Sequence, residues 1–294
     1  RGLLPPHLEV PSAFEMVGHI AHMNLKAEHL AYKKLIGQVI LDKNPVCRTV
    51  VNKIGKIENE FRVFDMEVLA GDVDFEAKVK HEGFIYRLDY SKVYWNSRLS
   101  TEHATLCKTL RPGALVWDAF AGIGPFVLPA AEKGCFVQAN DLNPWSYEYC
   151  ILNFEKNLGN KTHVPPVTFY NMDARAFIRN MVGEFEERIA WDGPDSVPRD
   201  VDVIMNLPAI APEFLDVFRG ILREDVWKGR DMPTIHLYNF CKGDDHVEEV
   251  MSRADAALGV KVERGGVRSR EVRLVAPGKL MMYCAFKIPR ELLV

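Results

Sequence analysis

The sequence predicts an α/β protein: a mostly parallel, doubly wound, Rossmann-like domain over residues 111–294, preceded by a smaller α+β module over residues 1–110. Two observations predict it. From Ala114 onward, short apolar runs alternate with helical stretches, as a doubly wound sheet requires. Ahead of Pro112-Gly113, one helix is followed by strands with period-two alternation, separated by Gly and Asp turns.

Taken in order, "AEHLAYKKLIGQVILDKN" (27–44) sets Leu30, Leu35, Ile36, Val39 and Ile40 at helical spacing, and Asn44-Pro45 stops the helix. "TVVNKI", "FRVFDMEVLAG", "DFEAKVKHEG" and "FIYRLDYSKVYW" read as strands of a mixed or antiparallel sheet. "NSRLSTEHATLCKTLRPG" (96–113) reads as a helix capped by Ser100 or Thr101 and ended by Pro112-Gly113, with the domain boundary close by. The larger domain then supplies "ALVWDAF", "CFVQAND", "VTFYNMD", "DVIMNLP", "TIHLYNF" and "MMYCAFKI" as strands. The stretch "VGEFEERIAWDGPDSVPRD" (182–200) is expected as an insertion loop before the fourth of them.

Composition narrows the function classes. The 294 residues, 48% of them hydrophobic, are enough to bury a large core. Lys plus Arg (37) nearly balances Asp plus Glu (40), so a nucleic-acid partner has to be met by a local basic face rather than by net charge. The six cysteines never reach CxxC spacing; buried free thiols in a reducing compartment are expected, and no metal site. No apolar stretch has membrane-spanning length and no signal-peptide pattern opens the chain, so no membrane partner is expected. The opening at Arg1 is that of a trimmed or mature form, with a targeting segment or further N-terminal domain expected to be missing; cytoplasm, nucleus and mitochondrial matrix all stay open. A monomer is expected.

In an open α/β sheet the ligand sits beyond the carboxyl ends of the strands, so the residues that end each run carry the chemistry. The first run ends in "DAFAGIGPF", where Asp118 precedes Gly122 and Gly124, glycines that let the backbone pass close under a ligand. The third glycine of the dinucleotide fingerprint is absent, which weakens a nicotinamide oxidoreductase reading. The second run ends in "ANDLNP", placing Asp141 where a carboxylate accepts both hydroxyls of a ribose, although a helix N-cap, which Asn143 could also supply, explains an acid there too. The third ends in "NMDARAF", with Asp173 placed for an adenine amino group and Ala174 leaving room for the ring; an N-cap again explains Asp173 alone. Three such signals at consecutive strand ends describe S-adenosylmethionine held by a class I methyltransferase fold. The fourth run ends in "NLPA", resembling the Asn/Asp-Pro-Pro-aromatic element of enzymes that methylate nitrogen on planar substrates: the Asn206 carbonyl can accept from a target N–H, and the fixed φ of Pro208 shapes the backbone beside the ring.

With these residues in hand, the chain resembles the tRNA (guanine-N1)-methyltransferases of archaeal and eukaryotic type, which act on guanosine 37 beside the anticodon. The resemblance runs over essentially the whole chain and is carried by "HMNLKAEHLAYKKLIGQVILDKNP", "EVLAGD", "SKVYWNSRLSTEH", "DAFAGIGPF", "NDLNP", "MNLPAIAPEFLD" and "VRLVAPGKLMMYCAFKIP". It implies a tRNA substrate with guanosine at position 37, a small RNA-contacting domain ahead of the catalytic one, and in many members a further N-terminal domain that is expected to be absent here. Carried over residue by residue, it sets S-adenosylmethionine against His103, Asp141, Leu142, Asp173, Ala174 and Asn206, and matches Arg98 to an arginine at the guanine O6. A guanidinium there stabilises the charge that builds on O6 as N1 loses its proton. Glu102 and Glu213, and more remotely His103, are the candidates for taking that proton. Arg264, Arg268, Arg270 and Arg273 in an expected glycine-containing loop, with Lys53 and Lys56 in the first module, are candidate phosphate contacts. The alternatives are a sister tRNA-modifying enzyme that transfers the aminocarboxypropyl group of the same donor, and a non-catalytic tRNA-binding scaffold.

Overall fold

The computed structural model describes residues 4–11, 13–55, 63 and 65–294. Lys56 and the start of the second expected strand (Phe61, Arg62, Phe64) lie outside the described residues. The chain divides into two compact units, Arg1–Ser100 and Thr101–Val294.

In the first unit, β1 (Glu15–Val17), β2 (Ile20–Met23), β3 (Thr49–Ile54) and β4 (Asp65–Gly71) form a sheet in the order β1-β2-β3-β4. The β2/β3 pair is parallel and the other two are antiparallel, so the sheet is mixed. β1 and β2 went unread because three and four residues are too short to show alternation. The expected helix 27–44 is a 3-10 segment, Ala27–Tyr32, running into α1 (Lys33–Lys43). Of the five apolar residues named for it, Ile36 and Ile40 are buried and Leu30, Leu35 and Val39 are exposed. Gly37 stands between the two buried isoleucines because a Cβ there would lie 2.5 Å from Cβ of Leu69, so α1 rests directly on β4. A separate hairpin pairs β5 (Glu76–His81) with β6 (Phe84–Asp89).

The second unit opens on α2 (Ser100–Thr109). The division therefore falls ahead of the expected boundary at 110, because Glu102, His103, Leu106 and Cys107 of α2 are buried within the second unit. The 3-10 turn Ser97–Leu99 precedes α2, and its cap is Asn96, accepting from the Arg98 N–H, rather than Ser100 or Thr101. The sheet is built from β7 (Leu115–Asp118), β8 (Phe136–Asn140), β9 (Val167–Tyr170), β10 (Val201–Met205), β11 (Thr234–Cys241), β12 (Arg268–Ala276) and β13 (Lys279–Lys287), in the order β12-β13-β11-β10-β7-β8-β9. The five strands from β7 to β11 are parallel to their neighbours; β13 and β12 close the edge antiparallel. The connecting helices are α3 (Val127–Glu132), α4 (Pro144–Leu158), α5 (Ala174–Asp192), α6 (Glu224–Trp227) and α7 (His246–Leu258).

Two expectations are corrected here. The stretch 182–192 is helix, not insertion loop: Met181, Val182 and Phe185 bury one helical face of α5, which ends only where Gly193 turns the backbone to φ 88°. Of the arginine-rich stretch 263–273, Arg264–Gly266 form a short 3-10 turn, and from Arg268 on the residues are strand rather than loop, paired with β13. All six cysteines are free and buried.

Candidate active site

The strand order reverses between β7 and β10, and the crevice past a reversal is where an α/β sheet holds its ligand. Backbone register brings the expected residues there. Ile204 of β10 pairs with Asp118 of β7, so Asn206, two residues on, leaves β10 beside the loop that follows Asp118. The Ala119 N–H donates to the Ile204 carbonyl (3.1 Å), and the Ala121 N–H to the Asn140 carbonyl (2.8 Å).

Asp118 is wholly buried. Its Oδ1 accepts from the Phe120 N–H at 3.3 Å, and its Oδ2 has no partner among the described residues. Burial, reinforced by the charge of Asp141 and opposed by the Phe120 N–H, pushes its carboxyl up to about 8. Asp141 Oδ2 accepts from the Gly122 N–H (2.8 Å) and its Oδ1 from the Asn143 N–H (2.9 Å). Burial raises Asp141 to about 6 against the pull of both N–H groups. The cap of α4 is Asn143, which accepts from the Trp145 N–H, so Asp141 is not spent on the helix. Gly122 (φ 55°) has open space where a Cβ would stand. Gly124 (φ 95°) does not: a Cβ there would lie 2.9 Å from Leu128 and 3.1 Å from Cys150.

Asp173 is the N-cap of α5, and both bonds it accepts, from the Arg175 and Ala176 N–H groups, fall on Oδ1. Ala174 is buried; Leu142 is exposed at the rim. His103 is buried edge-on against Phe126, with ring centroids 4.7 Å apart. Sequence reading missed Asn140. Its amide donates to the Ala119 (3.2 Å) and Met172 (3.0 Å) carbonyls and accepts from the Met172 N–H (3.1 Å), tying together the loops after β7, β8 and β9. An amide at the last position of an apolar run was the available signal.

Past β10, the Oδ1 of Asn206 is buried without a partner among the described residues, while the Pro208 carbonyl accepts from the Phe240 N–H (2.9 Å). Glu213 lies in a 3-10 segment, Ala211–Phe218, where Oε1 pairs with Arg253. Glu102 is differently placed: only 7% exposed, it accepts from the Tyr238 hydroxyl (2.7 Å) and is forked by the Arg270 guanidinium, which also stacks 3.6 Å over the Tyr283 ring. Both of its oxygens are engaged by these two partners. Arg98 belongs to the first unit; its side chain is exposed, 3.9 Å from Glu15, whose other oxygen accepts from Ser97. Of the expected phosphate contacts, Arg264 is neutralised by Glu248 and Asp255, and Arg270 by Glu102; Arg268 is exposed on β12. Among the described residues no His/Cys/Asp/Glu cluster is shaped for a metal ion, and no helix is long and apolar enough to cross a membrane.

Residues 1–74 match the family described as the TYW2 N-terminal domain, and residues 77–263 match the TRM5/TYW2 methyltransferase domain. A Xenopus tropicalis protein curated as a tRNA (guanine(37)-N(1))-methyltransferase is 44% identical over 294 residues, all of this chain; the chain spans 58% of that relative's length. A Schizosaccharomyces pombe protein of the same description is 42% identical, over 99% of this chain and 72% of its own. The crystal structure of Trm5b from Pyrococcus abyssi superposes with a TM-score of 0.71 at 28% identity, over 94% of this chain and 75% of that one. With its catalytic domain matched from Ala77 to Glu263 and a fold to suit, the chain belongs to the TRM5/TYW2 methyltransferase family.

Proposed function

We propose that this chain transfers the methyl group of S-adenosylmethionine to N1 of guanosine 37 in tRNA. The observation that carries the reading is 44% identity over the whole of this chain with a curated tRNA (guanine(37)-N(1))-methyltransferase, in a chain whose four successive strand ends bear Asp118, Asp141, Asp173 and Asn206.

The residues fit such a donor. Each Asp141 oxygen takes one backbone N–H and so keeps lone pairs for the ribose hydroxyls. Asp173 keeps Oδ2 for an amino group, beside the small Ala174. The unpartnered Oδ2 of Asp118 suits the donor's ammonium, and the open space at Gly122 admits its backbone-hugging portion. When bound, the donor supplies an electrophilic methyl on a sulfonium.

The chain's own residues orient and deprotonate the acceptor. Asn206 accepts a guanine N–H at its buried Oδ1 and fixes the ring relative to the β10 end, with the neighbouring backbone shaped by Pro208; such positioning recovers much of a bimolecular barrier as entropy already spent. Arg98 stabilises the charge on O6. Glu213 is the proposed proton acceptor, directly or through water: its side chain is half exposed and its Oε2 has no partner among the described residues, whereas Glu102 is buried and held by Tyr238 and Arg270.

The test is single-turnover transfer of labelled methyl to two tRNA transcripts, one with guanosine and one with adenosine at position 37. Label on the first alone, mapped to N1, is the expected result, and label on neither or on both would overturn it. The second reading is that of a sister tRNA-modifying enzyme transferring the aminocarboxypropyl group of the same donor, since the matched catalytic model covers both TRM5 and TYW2 proteins. The mass of the modified nucleoside separates the two.

A further inference from the structure

At the other end of the same sheet, where β11 begins and β13 closes, two adjoining recesses share Asp231 and Arg290. The smaller, of about 250 Å³, is lined by Arg199, Gly229, Arg230, Asp231 and Arg290. Its one carboxylate is already paired, since the Lys287 ammonium lies 2.5 Å from Asp231.

Two of the arginines, Arg230 and Arg290, are held by backbone carbonyls, with the charges of Asp195 and Asp231 acting on Arg230 and Arg290 respectively. Arg230 donates to the Pro194 (2.7 Å) and Pro198 (2.9 Å) carbonyls, and its Nε is buried without a partner among the described residues. Arg290 donates to the Trp227 carbonyl at 3.3 Å and to that of Arg230. Arg199 makes no side-chain hydrogen bond or ion pair among the described residues, yet it is close to Arg230: burial first, and then the Arg199 charge, hold Arg230 below the usual arginine range, with Asp195 opposing. Carbonyls orient a guanidinium without neutralising it. The contrast with Arg264 and Arg270, each closed by a carboxylate, is direct. Guanidinium groups lining one recess, each with N–H groups beyond those given to the carbonyls, match a phosphate.

The larger recess, of about 580 Å³, adjoins this cluster and is floored by Met232, Val262, Phe286 and Ile288. Lys261 and Arg268 add cations to its wall, Glu263 and Glu291 acids. An apolar floor beside a cationic pocket suits a nucleoside attached to its phosphate. Trp191 offers an independent feature: it is 86% exposed at the end of α5, just before the Pro194–Pro198 segment that Arg230 grips, and an exposed indole is a stacking surface for an unpaired base.

We infer that this end of the sheet is a second RNA contact: the Arg199, Arg230 and Arg290 cluster takes a backbone phosphate of a single-stranded segment, the neighbouring groove takes the attached nucleoside, and Trp191 stacks on a base beyond. The inference rests on the reading above that the substrate is RNA, and it adds a surface remote from the methyl-transfer site.

The test is the affinity of the whole protein for a tRNA transcript and for a labelled single-stranded RNA hexamer, measured without donor at several salt concentrations, with uridine 5′-monophosphate as competitor. Arg199→Glu is the informative variant, because no hydrogen bond or ion pair among the described residues depends on that guanidinium. The expected result is a rise in hexamer Kd of about tenfold and a salt slope shallower by about one, with donor Kd and Tm unchanged; Trp191→Ala should weaken hexamer binding by roughly threefold or more. Hexamer and tRNA affinities that ignore Arg199→Glu would sink the site while leaving the activity reading intact. Uridine monophosphate binding as tightly as the hexamer would also sink it, by pointing to a free-nucleotide pocket. Absence of methyl transfer with Arg199-dependent RNA binding intact would instead fail the activity reading and leave this site standing.

Discussion

Gly122 donates its backbone N–H to Oδ2 of Asp141 at 2.8 Å, so the carboxylate proposed to hold the donor's ribose also locks the glycine loop that runs under it. Binding and loop shape are thereby one structural unit, and removing the acid disturbs both.

Asp141→Asn replaces an acceptor on each side with an amide that has only one acceptor atom, so either the Gly122 or the Asn143 N–H faces an NH2 group. A buried unmet N–H costs about 1–3 kcal/mol, and that cost falls on folding. The donor loses a hydrogen bond to a charged group, worth about 1.5–3 kcal/mol, which sets a rise in donor Kd of about tenfold to a hundredfold or slightly more. Calorimetric titration measures it. An unchanged Kd would remove Asp141 from the donor site.

Asn206→Ala should lower the single-turnover rate by about a hundredfold while donor Kd moves less than about threefold, the pattern of a group that orients the acceptor. Folding stability should change by less than about 1 kcal/mol, since Oδ1 has no partner to lose. A rate within a factor of two of the parent's would take Asn206 out of the mechanism.

For Glu102 the expected effect is on stability. Glu102→Ala leaves the Arg270 charge and the Tyr238 hydroxyl without their partner in a largely buried setting, a loss of about 3 kcal/mol in urea unfolding. Combining Glu102→Met with Arg270→Met should restore most of it, because the pair is replaced rather than broken. Should Glu102→Gln instead leave the urea midpoint alone and abolish transfer, Glu102 would be the proton acceptor after all.

Asp118 and Asp141 make stability depend on pH with a definite sign. Both carboxyls titrate higher folded than unfolded, near 8 and 6 respectively, so the folded state binds more protons above the ordinary aspartate range. Their contribution is complete below about pH 4 and is lost as pH rises through 6 for Asp141 and through 8 for Asp118. Asp118→Asn, which keeps an acceptor for the Phe120 N–H, should therefore flatten the fall in Tm between pH 5 and 8 and be more stable than the parent at pH 8, by 1 kcal/mol or more in order of magnitude. Parallel Tm profiles for the two proteins would contradict this.

Much of the fold was legible because its signals are local. Each parallel strand is a short apolar run, its end is marked by the first polar residue, and a tight turn under a ligand demands glycine; Asp118, Gly122, Asp141, Asp173 and Asn206 could all be picked out this way. α5 ran past its expected end because Pro198 and Gly193 look like a loop, while the buried face of Met181, Val182 and Phe185 depends on what lies across from it.

What the sequence by itself determined is the order of elements and the kind of residue at each strand end, since period and turn chemistry reside in neighbouring positions. Only the tertiary structure decided which charges are spent and which are kept. Glu102 and Arg270 are 168 residues apart and Arg253 and Glu213 are 40 apart, joined because the sheet order brings distant segments together. The same long-range folding gathers Arg199, Arg230 and Arg290 around one recess whose single carboxylate, Asp231, is already paired with Lys287. Whether a carboxylate is an open acceptor or a buried anion, and whether an arginine is a phosphate ligand or half of an ion pair, depends on Coulomb interactions that fall off with distance in space, and that distance is written in no local pattern.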